Sequence, residues 1–168
     1  MPATQPSKPT IYRFKVSLIG DHAQPVGKLH RILEISADAP FTALHGLIFD
    51  AFDRTDDHAF KFLLTRKEID NEGELYDYPE EVSFPALYED FPPPEGVTVH
   101  DAATYRIQDA GLQEKDCIYY WFDFGDDWMH RLRLEKIFQA GDDYPEEGYI
   151  LEIAKKVGES PEQYPDYE

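Results

Sequence analysis

The chain predicts an α+β fold, a mainly antiparallel sheet with one principal packed helix, in the order strand-strand-helix-strand, a long excursion, then strand-strand. Three observations predict it. The 168 residues include 11 Phe, 11 Tyr and 2 Trp, rings that favour pleated, half-buried surfaces. Apolar and polar residues alternate with period two in several short segments. In a single stretch, residues 41–53, the apolar period shifts to three and four. A β-grasp-like roll fits this order of elements.

Residues 1–9 are polar and proline-rich and read as a flexible N-terminus, leaving 10–168 as a single domain. From Ile11 to Ile19, Tyr12, Phe14, Val16 and Leu18 share one face against Arg13, Lys15 and Ser17. Lys28 to Ile35 repeats the pattern through Leu29, Leu33 and Ile35, so the pair predicts an antiparallel hairpin. In 41–53, Leu44, Leu47, Ile48, Ala51 and Phe52 form a helical stripe, with Thr42 or Asp38 placed to cap its start. Phe60, Phe62 and Leu64 oppose Lys61 in a third strand within 58–65. Residues 66–104, rich in proline and acid yet studded with aromatics, predict a long ordered excursion with a short strand or helix near 82–90. Two strands follow, 117–124 and 128–138, joined by a tight turn at Gly125-Asp126-Asp127 because Gly and Asp tolerate positive φ. Leu151 to Val157 predicts about two helical turns.

The formal charge is −18, from 34 acids and 16 bases, which opposes binding to nucleic acid or an anionic membrane. A nucleic-acid role would need a compact basic stripe. The acid is uneven: residues 68–95 hold ten acids and no base, a solvated surface or a docking surface for a basic partner. The single cysteine, Cys117, excludes an internal disulfide and a cysteine-rich zinc site, and its apolar setting makes it a small core residue. The lack of an apolar run of spanning length and of a signal peptide predicts a cytoplasmic protein.

Chemistry concentrates at Tyr119-Tyr120-Trp121-Phe122-Asp123-Phe124-Gly125-Asp126-Asp127-Trp128-Met129-His130, where three acids and a histidine abut aromatic strands. Asp123-Phe124-Gly125 matches a protein-kinase triplet, but no glycine-rich loop, strand lysine or catalytic loop accompanies it. No Gly-x-Ser-x-Gly or phosphate loop is present. The histidines are His22, His30, His45, His58, His100 and His130. A helix packed over the sheet would bring His45 and His58 toward the hairpin tip. With Asp123, Asp126 or Asp127 and His130 they would resemble a divalent-metal set for zinc, iron or manganese, although no tight ligand spacing marks one. The alternative is structural: aspartates capping the turn and histidines satisfying backbone groups.

The hairpin run, followed by Leu132, Leu134, Glu135 and Lys136, resembles the Y-x-[YF]-D-F-G-D-x-W-x-H signature of the plasmid pRiA4b ORF-three-like domain family. The opening strand from Tyr12, the Leu44-His45 pair, His58 with Phe62, and Gly158-Glu159-Ser160-Pro161-Glu162-Gln163-Tyr164-Pro165 are also similar to it. Members often read His-Leu-His at the third strand, where this chain has His58-Ala59-Phe60, and they often carry a cysteine-containing tail that is missing here. The resemblance implies an α+β roll and points to the hairpin as the site; it implies no established reaction. The residues themselves predict an acidic binding or adaptor domain with a basic protein partner. The alternatives are a metal-dependent or acid-base hydrolase built on His45, His58, Asp123, Asp126, Asp127, Trp128 and His130, and an accessory protein of a mobile element.

Overall fold

Strands β1 (Thr10–Ile19) and β2 (Pro25–Ser36) form the predicted hairpin, from Ile11↔Ser36 to Ile19↔Pro25. The computed structural model that gives these positions describes residues 8–20, 23–144, 148–161 and 163. Most of the predicted N-terminal arm, His22 and the end of the tail lie outside them. The chain continues through α1 (Phe41–Ala51), β3 (Phe60–Leu63), α2 (Glu72–Tyr76), β4 (Glu80–Ser83), β5 (Thr98–Asp101), β6 (Cys117–Phe122), β7 (Trp128–Gln139) and β8 (Leu151–Val157).

All eight strands join one mixed sheet in the order β5-β4-β3-β6-β7-β1-β2-β8. Every ladder is antiparallel except β4 with β5. Alternation decides which side chains face the helix. Tyr12, Phe14, Val16, Leu33, Ile35, Phe60, Phe62, Ile118, Tyr120, Phe122, Leu132 and Leu134 bury against Phe41, Leu44, Leu47, Ile48 and Ala51 of α1. The opposite face is covered over β3, β6 and β7, where Ile69 and Leu75 of the excursion pack on Leu63, Cys117, Tyr119 and Met129. The Tyr119 hydroxyl accepts from the Ile69 amide at 2.9 Å, which pins the excursion down.

Three local expectations are corrected. Residues 151–157 form a strand, not helical turns. The twelve-residue β2 offers a row of otherwise unpaired backbone groups, and β8 pairs with them from His30↔Val157 to Ile35↔Leu151, so sheet pairing overrides local propensity. Neither Thr42 nor Asp38 caps α1. Pro40 sits at the cap, and the first amides of the helix reach tertiary carbonyls, Phe41 to Tyr105 at 3.0 Å and Thr42 to Ala102 at 3.1 Å. At the β6–β7 turn the left-handed residues are Asp123 (φ 59°) and Asp127 (φ 64°), not Gly125. The Asp123 carboxylate accepts from the amides of Gly125 (3.2 Å) and Asp126 (3.3 Å), a local geometry open to Asp that most side chains cannot supply.

Candidate functional site

The end of α1, the loop 53–59, and the joined ends of β6 and β7 meet around Phe122 and Tyr120. His45 stacks on Phe60 with ring centroids 4.0 Å apart and lies 6.0 Å from Phe122. His58 meets Phe122 edge-on at 5.9 Å, and His130 lies 5.1 Å from the Tyr120 ring. His45, His58 and His130 thus lie at one end of the sheet, each engaged with its own partners.

His45 links the surface to the interior. Its Nε2 lies 2.9 Å from a carboxylate oxygen of Asp57, which can only accept, so Nε2 carries the hydrogen. Nδ1 then accepts from the Tyr120 hydroxyl at 2.6 Å. Burial lowers the His45 pKa, the Asp57 charge opposing it, and burial raises the Tyr120 pKa well above its ordinary value. The chain Asp57–His45–Tyr120 therefore rests with a neutral imidazole and a neutral phenol. It has the composition of an acid–base relay, yet its inner end is closed, because Tyr120 is 1% exposed.

Arg54 is the group least expected from the sequence. It is buried at 7% exposure, with its guanidinium 4.5 Å from the Trp128 ring centroid and 5.7 Å from those of Phe52 and Phe122. One Nη donates to His130 Nε2 at 3.1 Å, while Nε and the other Nη have no hydrogen-bond partner. Burial lowers its pKa to about 10, partly offset by Tyr120 and Asp123. Because the arginine can only donate, His130 Nε2 is the acceptor and Nδ1 donates to the Tyr120 carbonyl at 3.2 Å. Burial and the neighbouring Arg54 charge push the His130 pKa down to about 3.

Asp123 closes the turn with one oxygen, and its other oxygen lies 3.5 Å from His58 Nε2. Asp126 contributes backbone to the turn, and Asp127 accepts from the Tyr76 hydroxyl at 2.6 Å, away from the histidines. Among the described residues no three His, Cys, Asp or Glu side chains converge as a metal set. His45, His58, Asp123 and His130 are spread around two rings, and His130 spends both nitrogens on Arg54 and a backbone carbonyl. Clefts of about 230, 340 and 540 Å³ open elsewhere, and none is lined by His45, His58, Asp123 or His130.

Gln163 clamps this region from outside. Its carbonyl accepts from the amides of Thr55 (2.9 Å) and Asp56 (3.1 Å), and its amide donates to the Asp56 carbonyl at 2.7 Å. We expect Gln163→Ala to cost about 1–2 kcal/mol in urea unfolding, less than three buried bonds would suggest, because Thr55 and Asp56 are exposed and water can replace the side chain. Arg54 and Asp57 escape sequence reading because Asp53-Arg54-Thr55-Asp56-Asp57 looks like a solvated polar turn, and nothing local marks the arginine as buried. Tyr120 and Gln163 stand inside the quoted signature segments, but their contacts span 75 and 108 positions.

The hairpin signature, the helix that packs on it and the clamping tail define an α+β sheet protein with a closed polar cluster at one end. The chain belongs to the family described as plasmid pRiA4b ORF-3-like protein, whose model matches residues 10–161. It is similar in fold to the crystal structure of MM3350, a protein of unknown function from Methanosarcina mazei Go1, at 18% identity and a TM-score of 0.65, over 94% of this chain and 74% of that one. No curated protein matches it. Among the described residues no helix is long and apolar enough to cross a membrane.

Proposed function

We propose that the chain is a cytoplasmic binding or adaptor module that takes a basic protein segment into an acidic, tyrosine-walled cleft of the excursion. The observation that carries this reading is the cleft of about 340 Å³ between Tyr76, Tyr78 and Tyr88, with Asp77, Glu81 and Glu95 on its lining. Lys61 of β3 illustrates how a cation is held there. Its Nζ donates to the Tyr88 hydroxyl at 2.9 Å, lies 3.4 Å from Glu81 and sits 5.3 Å from the Tyr88 ring centroid. An incoming lysine or arginine would meet the same pairing of ring faces and carboxylates. Phe91, 78% exposed on the same excursion, supplies an apolar contact beside the charges.

The reading is tested by anisotropy of a labelled peptide rich in Lys and Arg. We expect binding that weakens about tenfold between 50 and 300 mM salt, and that is lost in Asp77→Lys/Glu95→Lys. Binding indifferent to that charge reversal would remove the proposal. The metal-dependent or acid-base hydrolase finds less support, because the histidines are committed to separate partners and open onto none of the clefts above.

A further inference from the structure

Of the 16 lysines and arginines in a chain of charge −18, six lie on one stretch of the sheet face opposite α1. Pairing puts Arg133, Lys15, Ile32 and Lys155 in one row across β7, β1, β2 and β8. The row on one side sets Lys136 beside Arg13 and Glu34, and the row on the other sets Arg131 beside Ser17 and His30. Cross-strand partners project to the same side, so these are adjacent bases on one surface. A shallow cleft of about 540 Å³ runs over it, floored by Ile32 and Ala154.

Four acids share this face. Glu34 pairs with Arg13 at 2.8 Å, Glu68 lies 3.7 Å from both Arg131 and Arg133, Glu135 lines the cleft, and Glu152 ends the row as the β8 partner of Glu34. Lys15, Lys136 and Lys155 have no carboxylate within ion-pair distance among the described residues. Arg13 and Lys136 also flank the half-buried Phe138 ring, at 5.0 and 5.3 Å from its centroid. The excursion packs over β3, β6 and the near end of β7 and brings Glu68 to Arg131 and Arg133, so the cations it leaves unpaired are Lys15, Lys136 and Lys155.

We infer that the open β7-β1-β2-β8 face binds a single strand of nucleic acid, with Lys15, Lys136 and Lys155 on its phosphates and Phe138 as the ring beside them. Cations tracking a backbone next to an aromatic platform are what a phosphodiester strand requires. An acidic peptide fits less well: a sheet face, unlike a sheet edge, offers it no backbone groups to pair with. The net charge alone argued against nucleic acid; the register of four strands reverses that expectation locally.

The test uses the full chain and a fluorescein-labelled dT20 strand in anisotropy titrations from 50 to 200 mM salt. With three phosphates neutralised, the log–log salt slope is expected near about −2. Lys15→Glu/Lys155→Glu, two side chains on the strand surface, should weaken binding at least about tenfold with an unchanged melting curve. Asp77→Lys/Glu95→Lys should leave it intact or stronger, which separates this surface from the cleft proposed above. No binding at 50 mM salt, binding untouched by the lysine reversals, or equal competition by a poly-glutamate peptide would each overturn the inference.

Discussion

Arg54→Ala is expected to lose about 3 kcal/mol of folding stability, whereas Arg54→Met is expected to stay within about 1 kcal/mol of the parent, both read by urea unfolding. The guanidinium is wedged among Phe52, Phe122 and Trp128, so truncation removes contacts to three rings and opens a void. Methionine refills most of that volume without a charge to desolvate. The parent already leaves Nε and one Nη unbonded, so the apolar replacement relieves two buried, unmatched donors. Its cost is the donor that His130 Nε2 loses. Equal losses in both variants would mean that the charge itself, rather than the packing around it, carries the stability.

The second large effect is on pH. The folded protein holds His130 neutral with its pKa down at about 3, while the unfolded chain takes up a proton near the ordinary value of about 6.5. The folded pKa is the lower of the two, so the unfolded state binds more protons in acid. The contribution is present in full above about pH 6.5 and is lost progressively as pH falls toward 3. At pH 5 the loss reaches about 2 kcal/mol, at 1.36 kcal/mol per unit. His130→Gln removes this titration, so its destabilisation relative to the parent should shrink by about 2 kcal/mol between pH 7.5 and pH 5. Both conditions stay above the isoelectric point near 4.5. A gap that stays constant would show that His130 titrates alike in both states.

Much of the sheet was legible because its strands are amphipathic on their own. Tyr12 to Leu18 and Trp128 to Leu134 declare a buried face by alternation alone, and Leu44 to Ala51 declares a helix by its period. What stayed hidden depends on partners far along the chain. Residues 151–157 carry the pattern of an exposed segment and become a strand only because β2 presents an edge. β4, at 80–83, overlaps only the start of the short strand or helix expected near 82–90, β5 is four residues with no alternation to announce it, and their parallel pairing needs the turns between them. At the site, the signature residues were identifiable as a group. Their roles were not, since a histidine two residues from Trp128 reads the same whether it faces a metal or an arginine contributed by a loop 76 positions away.

The arrangement of β1 bears on how the chain reaches this state. β1 lies between β2, its immediate successor, and β7, which it meets from Thr10↔Gln139 to Leu18↔His130. The β1–β2 and β6–β7 hairpins close short loops and can form early and independently. The β1–β7 ladder joins the half-sheet β5-β4-β3-β6-β7 to the half-sheet β1-β2-β8, and it must close a loop of more than a hundred residues. That closure has to precede the full burial of Phe14, Val16, Leu132 and Leu134, which makes the central seam a slow, late step of folding. Until it forms, the apolar edges of β1 and β7 stand open to pairing with other chains, so the interval before closure is when this protein is most exposed to aggregation.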